Sequence, residues 1–269
     1  MSVPFAEVVG DPVAHSKSPV MHRAWLAALG IEGDYRAAHV RSQELAAHFE
    51  TCRTLPDWRG ANITVPHKVA CLDLVDQFSA DVTAIGAANC IVSIGNGRLR
   101  AENTDWTGFF AALGKVDLRG AHAIIIGAGG ASRAVLYALT SNGIGNVTIL
   151  NRTHARAHVL LEDMQVEGDV LALDAALPAA DLLVNASSLG MVGAAPLSVD
   201  LAPLPAHATV CDIVYAPLET LLLTAARARG LRTVDGLGML IEQARTAFEL
   251  FFGRTPPADS AALRRLLTS

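Results

Sequence analysis

Charged residues are scarce in this sequence, and so are aromatic ones. Of its 269 residues only 17% are charged, and the formal net charge of −5 leaves no basic excess to neutralise a nucleic-acid backbone. No dense run of lysine and arginine stands out, so we expect no nucleic-acid partner. Apolar residues, at 51%, are abundant enough to bury a large core, which predicts a globular protein of two medium-sized domains.

Cysteine is also rare. The chain has four, at positions 52, 71, 90 and 211, without a Cys-x-x-Cys pair, and no histidine stands out beside them at the spacing of a zinc motif. Neither a disulfide framework nor a metal site is therefore expected. The first ten residues lack the basic start and long apolar segment of a secretory leader, and Arg133 interrupts the most apolar later stretch. We expect a cytoplasmic protein with no membrane partner.

Short apolar runs alternate with helix-compatible segments in the first part of the chain. Ser18-Pro19 is typical of an N-cap followed by the first helical residue, and Gly10-Asp11-Pro12 ends the run before it. The pattern predicts strands over 5–9, 35–40 and 61–65, and helices over 18–29, about 42–52 and after Pro66. This alternation favours an α/β domain with parallel strands.

A hairpin is predicted where the pattern changes, between Asn89 and Glu102. Two strand-like runs flank Asn96-Gly97, and Asn-Gly is a strong signal for a tight turn. If residue 95 faces residue 98, the constant index sum of antiparallel partners places Asn89 opposite Thr104 and beside Asp105.

A second series of alternating elements begins at residue 121. Strands are predicted over 121–126, 146–150, 182–185, 209–214 and 232–235, a spacing typical of a Rossmann-like domain. An amphipathic helix over 240–252 follows, and it could return to the first domain. Gln243 falls within the apolar stripe of this helix, where a buried amide needs hydrogen-bond partners.

A glycine-rich turn joins the first strand of this series to a helix. The turn consists of Gly127, Ala128, Gly129, Gly130 and Ala131. Its glycines permit a sharp turn and let backbone N–H groups approach a pyrophosphate. A lone match could be no more than a tight turn, but the apolar run before it and the helix-compatible run after it favour a dinucleotide site.

No acidic residue ends the second strand of this series, where an NAD-binding domain places one to hold the ribose hydroxyl. The chain instead has Asn151, Arg152 and Thr153 there, and Arg156 follows four positions after Arg152. If a helix starts at this point, the two guanidinium groups could converge on one anion, which favours the 2′-phosphate of NADP. The alternative is that both arginines are ordinary solvated surface residues.

Several polar residues could carry chemistry, and each also has a structural explanation. Lys68 lies just after Pro66, in a predicted first helical turn, and either extends to solvent or has an altered proton affinity. Asp105 precedes a helix-like run and could be its N-cap, a catalytic carboxylate or both. Asn62 and Thr64 share one polar face of a predicted strand.

Short motifs spread along the chain occur together and in a recognisable order. In the first half they are Gly10 to Pro12, His15 to Pro19, Gly60 to Lys68, Gly86 to Asn89, and Asn103 to Gly108. In the second half they are residues 127–132, 151–153, 185–191 and 236–240, with Gln243 after them. This set, which spans essentially the whole chain, resembles the shikimate dehydrogenase family. The resemblance implies an N-terminal α/β substrate domain of residues 1–104 and 240–269, and a Rossmann-like NADP-binding domain of residues 105–239.

The resemblance also implies an activity, the reversible reduction of 3-dehydroshikimate to shikimate by NADPH. Lys68 and Asp105 would form the catalytic pair at the reacting oxygen. Ser16 and Ser18 would hold the substrate carboxylate. The other substrate contacts would come from Asn62, Thr64, Asn89, Gln243 and Tyr215. The cofactor contacts would come from residues 127–131, Asn151, Arg152, Thr153, Arg156, Ser187, Gly236 and Met239.

Three positions depart from the usual family pattern, and they concern substrate choice more than reaction type. These are Arg23, Cys90 and Trp106. An enzyme of the same family that prefers quinate or an amino-substituted relative is therefore an alternative. A catalytically silent NADP-binding sensor is a second one, against which the intact Lys68 and Asp105 argue. We expect a monomer or a homodimer.

Overall fold

The computed structural model describes residues 3–258 and 260–268. The chain divides into two compact units, which are described separately below. The first unit combines Met1–Thr104 with Gln243–Ser269, and the second is Asp105–Glu242. In the described part of the chain, no helix is both long and apolar enough to cross a membrane.

The first unit is built on a mixed six-stranded sheet. Its elements up to residue 104 are β1 (Phe5–Gly10), α1 (Ser18–Leu29), β2 (Asp34–His39), α2 (Leu45–Thr54), β3 (Trp58–Ile63), β4 (Gln77–Phe78), α3 (Ala80–Ile85), β5 (Cys90–Ser93) and β6 (Leu99–Glu102). Short 3-10 turns cover Ser42–Glu44 and Ala70–Leu74. The strand order is β2-β1-β3-β5-β6-β4. Strands β1, β2 and β3 are parallel, and β5 is antiparallel to both of its neighbours.

The second unit is a doubly wound parallel sheet. Its elements are α4 (Asp105–Leu113), β7 (His122–Ile126), α5 (Gly130–Thr140), β8 (Asn146–Leu150), α6 (His154–Asp163), β9 (Asp169–Leu171), β10 (Leu182–Asn185), β11 (Thr209–Asp212), α7 (Leu221–Ala228) and β12 (Arg232–Val234). Helix α8 (Gly236–Phe252) begins in this unit and ends in the first, which α9 (Ser260–Thr268) completes. The strand order β12-β11-β10-β7-β8-β9 reverses direction beside β7, which is where such sheets bind ligands.

Both sheets are covered on two faces, as alternating side chains in a strand require. In the first unit Val9 and Ile63 pack with Phe49 of α2, whereas Val8 packs on the other side with Phe251 of α8. In the second unit successive residues of β7 likewise enter different cores. The predicted α/β architecture with a Rossmann-like second half is confirmed.

The hairpin exists, but its register differs by one residue from the prediction. Cys90 pairs with Glu102 and Ser93 pairs with Leu99. The turn also includes Gly95, whose φ is 84°, so the loop has three residues with positive φ instead of two. The extra loop residue shifts every partner by one, and the regular ladder ends at Glu102 before it reaches Thr104.

Two local predictions about helix ends were wrong. No α-helix follows Pro66, because residues 65–69 form turns and only a 3-10 turn follows at Ala70. Ser18 is not the N-cap of α1 but its first residue, and Lys17 occupies the cap position without a side-chain hydrogen bond. Strand β9, at the edge of the second sheet, was missed.

Candidate active site

Three polar side chains that are far apart in the sequence form one buried cluster in the first unit. Asn89 is 2% exposed, Thr104 is 2% exposed and Gln243 is 7% exposed. The Asn89 amide donates from Nδ2 to Thr104 Oγ1 at 2.9 Å and to Gln243 Oε1 at 3.2 Å. The Thr104 backbone N–H donates to Asn89 Oδ1 at 2.6 Å. The amide of Gln243 is thus tied to the loop that follows the hairpin.

A second chain of hydrogen bonds runs from strand β3 to strand β2 and helix α1. Tyr35 is fully buried, and its hydroxyl donates to Asn62 Oδ1 at 2.6 Å. Asn62 Nδ2 donates in turn to the backbone oxygen of Asn89 at 3.3 Å. The Ser18 hydroxyl hydrogen-bonds to Tyr35, and burial raises the pKa of that tyrosine well above its usual range. Tyr35 is therefore a neutral hydroxyl that holds the Asn62 amide in one orientation.

The backbone of Lys68 lies next to the cluster that contains Asn89. Its carbonyl accepts a hydrogen bond from the N–H of Ala88 at 2.8 Å, which places the lysine turn next to Asn89. His67, just before it, is 1% exposed and hydrogen-bonds to the Val40 carbonyl at 2.6 Å. Residues 65–69 form turns, so Lys68 does not lie in the first turn of a helix as predicted. It lies in a turn that is held by the hydrogen bonds of its own carbonyl and of His67.

The remaining predicted substrate residues lie in different parts of the chain, two of them in the first unit and one in the second. Ser16 is partly buried, and its Oγ accepts from the Ser18 backbone N–H at 3.3 Å. Thr64 follows β3 directly and packs so closely on Gly10 that a Cβ there would lie 2.3 Å from Thr64 Cγ2. Tyr215 belongs to the second unit, in the loop after β11. Burial raises the pKa of its hydroxyl.

Asp105 is the first residue of α4 and of the second unit, and it follows Thr104 directly in the chain. It is 5% exposed, an unusual degree of burial for a carboxylate. The carboxylate of Asp105 is thus buried and directly follows a member of the first unit's polar cluster in the sequence.

The glycine turn of the second unit has the geometry of a phosphate cradle. Gly127 has a φ of 109°, and a Cβ there would lie 3.1 Å from Ser187 Cβ. An added Cβ on Gly129 would meet no described atom within 4 Å, so the space above that residue is open. Helix α5 begins at Gly130, and its N-terminal N–H groups favour an anion.

Two arginines lie at the neighbouring strand end. Gly127 N–H donates to the Leu150 carbonyl at 2.8 Å, which brings the turn next to Asn151 and Arg152. Helix α6 starts at His154, so Arg152 precedes it and only Arg156 is helical. Both side chains are exposed, and neither has an ion-pair partner among residues 3–258 and 260–268. The open space at Gly129, the N-terminus of α5 and the exposed guanidinium groups fit a dinucleotide that carries an extra phosphate.

The other predicted cofactor residues surround the sheet's carboxyl edge within the second unit. Ser187 follows β10 and donates from its hydroxyl to Asn185 Oδ1 at 2.7 Å. Thr153 is the N-cap position of α6, and its carbonyl accepts from Asn151 Nδ2 at 2.7 Å. Gly236 begins α8, and Met239, one turn later, is 8% exposed.

Comparison with known proteins explains why these two arrangements occur in one chain. Three family models match it: the shikimate dehydrogenase substrate binding domain over residues 8–91, shikimate / quinate 5-dehydrogenase over 111–191, and the shikimate 5'-dehydrogenase C-terminal domain over 236–261. A shikimate dehydrogenase (NADP(+)) from Sphingopyxis alaskensis is 58% identical over 267 residues, which cover 99% of this chain and 97% of that protein. The chain belongs to the shikimate dehydrogenase family.

Solved structures of this family have the same fold. Shikimate 5-dehydrogenase from Thermus thermophilus, in complex with NADP(H) and shikimate, gives a TM-score of 0.85 at 38% identity, covering 98% of this chain and 99% of that one. The ligand-free 5-ketofructose reductase of Gluconobacter sp. strain CHM43 gives 0.87 at 32% identity, covering 99% and 98%. The predicted family is confirmed.

Two members of the polar cluster were not singled out from the sequence as site residues. The sequence predicts Thr104 only as the ladder partner of Asn89, whereas its hydroxyl joins Asn89 to Gln243. Tyr35 lies in a strand whose pattern gives no reason to separate it from the core. Tyr35 and Asn62 lie on strands that are separated by β1, so no pairing of adjacent strands links the two residues in the sequence.

Proposed function

We propose that this protein is an NADP-dependent shikimate dehydrogenase, which reduces 3-dehydroshikimate to shikimate reversibly. The observation that carries the proposal is that hydrogen bonds link Asn62 to Asn89 and Asn89 to Gln243 in the first unit, next to the turn that contains Lys68. Amide and hydroxyl groups that are held in fixed orientations can recognise the hydroxyl groups of a cyclic polyol by hydrogen bonds. The relatives' names supply the identity of that polyol.

Substrate binding would use the two ends of this polar cluster. Ser16 and Ser18, at the start of α1, would hold the carboxylate through their hydroxyls. The amides of Asn62, Asn89 and Gln243 would hold the ring hydroxyls and the carbonyl, with Thr64 beside them. Because Tyr35 and Thr104 already fix these amides, little side-chain entropy is lost when the substrate binds.

Lys68 and Asp105 would perform the proton transfer. In the direction of reduction, the Lys68 ammonium would donate a proton to the oxygen that develops negative charge, and in the reverse direction the amine would remove it. The Asp105 carboxylate would accept a hydrogen bond from the Lys68 ammonium, which orients the lysine, and another from the hydroxyl of the alcohol. We expect such a pair to contribute about 10²- to 10⁴-fold to the rate.

NADP would be held by the second unit and would supply the hydride when bound. The glycine turn at residues 127–131 would take the pyrophosphate, with Ser187 beside it. Arg152 and Arg156, flanked by Asn151 and Thr153, would take the 2′-phosphate. Gly236 and Met239 would lie against the nicotinamide end, and Tyr215 would line the substrate side.

Substrate choice is the part of the proposal that fold cannot supply, because one fold can host different activities. One family model that matches the chain is named for both shikimate and quinate, and one structural relative is named a 5-ketofructose reductase. The decisive experiment is therefore a steady-state comparison of shikimate, quinate and 5-ketofructose, each with NADP and NAD forms. We expect the highest kcat/KM for shikimate with NADP.

Other outcomes of this assay would identify other functions. A higher kcat/KM for quinate or 5-ketofructose would overturn the substrate assignment while keeping the reaction class. NADP binding without turnover of any of the three would favour a silent sensor. A cytoplasmic enzyme, monomeric or homodimeric, completes the proposal, and four buried free cysteines suit a reducing compartment.

A further inference from the structure

A second group of polar side chains lies in the first unit, away from the proposed substrate ligands. Glu7 is on β1 and is only 5% exposed. His48 and Cys52 stand four residues apart on α2, so they project from one face of that helix. Cys52 is 4% exposed, whereas the His48 side chain is 23% exposed. We call these three residues the Glu7 cluster.

Two of the three distances within the Glu7 cluster match those between the ligands of one zinc ion, and the third, a hydrogen bond between Glu7 and His48, is about 0.3 Å shorter. Glu7 Oε1 lies 3.0 Å from His48 Nε2 and 3.5 Å from Cys52 Sγ. The sulfur lies 3.6 Å from His48 Nε2. Zinc bonds of about 2.0 to 2.3 Å at tetrahedral angles put neighbouring oxygen, nitrogen and sulfur ligands about 3.3 to 3.6 Å apart. We propose that Glu7, His48 and Cys52 bind a zinc ion.

The surroundings of the cluster also suit a divalent cation. Trp58 donates from Nε1 to Glu7 Oε1 at 2.8 Å, an outer-shell contact that orients the carboxylate. A mixed nitrogen, oxygen and sulfur set is one that zinc accepts. On binding, the Cys52 thiol would release its proton to solvent, and the carboxylate and thiolate would then neutralise the 2+ charge. A water molecule would complete the tetrahedron on the exposed side of His48.

The site would act on stability and not on turnover. Glu7 pairs with Ala61 in the sheet, and the next residue, Val8, pairs with Asn62. Because consecutive side chains of a strand point to opposite faces, the Glu7 cluster and the Asn62 amide lie on opposite sides of the same sheet. The ion would clamp β1 to α2 without touching the proposed substrate ligands.

This proposal revises the expectation that the chain lacks a metal site. That expectation depended on the absence of paired cysteines and of zinc-finger spacings. The pair His48-x3-Cys52 has a spacing that suits two ligands on one helix face. The third ligand, Glu7, lies on strand β1, 41 residues before His48. Only the packing of α2 on β1 brings it within reach.

Cobalt is the probe, because tetrahedral Co²⁺ substitutes for zinc and absorbs visible light, with a sulfur-to-cobalt band when a thiolate is bound. We would titrate Co²⁺ into chelator-treated full-length protein and then displace it with Zn²⁺. The wild type should show both the visible absorption of tetrahedral Co²⁺ and the sulfur-to-cobalt band, and both should saturate at one equivalent of cobalt. Cys52→Ser should lose the sulfur-to-cobalt band, and His48→Gln should weaken binding about tenfold or more. Cys211→Ala, in the second unit, is the matched control and should bind normally.

The competing explanation is a closed hydrogen-bond cluster with no ion. In that case the wild type would show no tetrahedral cobalt spectrum, or Cys52→Ser would leave it unchanged, and either result would overturn the proposal. Thermal unfolding provides an independent readout. Zn²⁺ at about 100 times its Kd should raise the Tm of the wild type by about 5 °C or more, but not that of Cys52→Ser. Neither measurement uses substrate, so each is independent of the proposed function.

Discussion

The candidate binding groups of the two units differ in their burial and in their hydrogen bonding. The first presents side chains that are buried and already hydrogen-bonded to one another, such as Asn62, Asn89 and Gln243. The second presents open backbone at the glycine turn and exposed cations at Arg152 and Arg156. The hydroxyl groups of the proposed substrate offer directional hydrogen bonds, so the site that recognises them needs partners in fixed orientations. A dinucleotide offers formal charge, which acts over longer distances and tolerates mobile arginines.

The largest effect should come from the first unit's only proposed proton donor. We expect Lys68→Ala to lower kcat by about 10²- to 10⁴-fold, because the developing alkoxide loses its proton source. NADP affinity should stay within about twofold, since the proposed dinucleotide contacts belong to the other unit. Single-turnover rates and equilibrium titration with NADP measure the two quantities. A loss of NADP affinity as large as the loss of rate would contradict the proposal that Lys68 acts in proton transfer and not in NADP binding.

A substitution of Arg152, in the second unit, should affect cofactor binding and not substrate binding. Arg152→Ala should weaken NADP binding by about 10- to 100-fold, the value of one charge-assisted hydrogen bond, and leave NAD binding nearly unchanged. The KM for shikimate at saturating NADP should not move. Arg119→Ala is the matched control, because that arginine is exposed, lies in the same unit and pairs with Asp117. Equal losses of NADP and NAD affinity would show that Arg152 does not contact the 2′-phosphate.

Burial in the first unit should also make its stability depend on pH. His22 is fully buried, stacks on Tyr35 at 4.0 Å and has no hydrogen-bond partner for either ring nitrogen within the described residues. Burial lowers its pKa from 6.5 to about 3. The unfolded chain binds this proton below about pH 6.5 and the folded chain does not. The free energy of unfolding should therefore fall, by about 1.4 kcal/mol per unit, between about pH 6.5 and 3.

His22→Phe tests this expectation, because it keeps the stacked ring and removes the titration. Denaturant unfolding of both proteins at pH 7.5 and pH 5.5 gives the comparison. The wild type should lose about 1.4 kcal/mol more than the variant between these two values. An identical pH dependence would mean that His22 is already protonated, or not buried, in solution.

The smallest expected effect sharpens the role of Tyr35. Tyr35→Phe removes the donor to Asn62 Oδ1 and should lower stability by about 0.5 to 1.5 kcal/mol. Because, among the described residues, the Asn62 amide then keeps only its hydrogen bond to the Asn89 carbonyl, the KM for shikimate should rise about three- to tenfold while NADP affinity stays unchanged. Steady-state kinetics and denaturant unfolding measure these effects. A KM equal to that of the wild type would show that Asn62 keeps its orientation without Tyr35.

Prediction from the sequence succeeded where the signal is local. The glycine turn, the Asn-Gly hairpin and the strand periodicity each depend on neighbouring residues, and all three elements exist. It failed where a long-range contact decides the outcome. The turn after Pro66 is held by the Ala88 N–H, and the short edge strand β9 exists only because β8 offers it a partner. Neither contact leaves a trace in the residues next to it.

The sequence by itself determined the fold class, the family and the chemical types available at each strand end, because periodicity and short motifs encode them directly. Tertiary structure decided which of those groups meet. Gln243 is 154 residues from Asn89 and Tyr35 is 27 from Asn62, yet both pairs share a hydrogen bond. Only the packing of helices on the sheet fixes such distances, because it removes the alternatives that an isolated segment would sample.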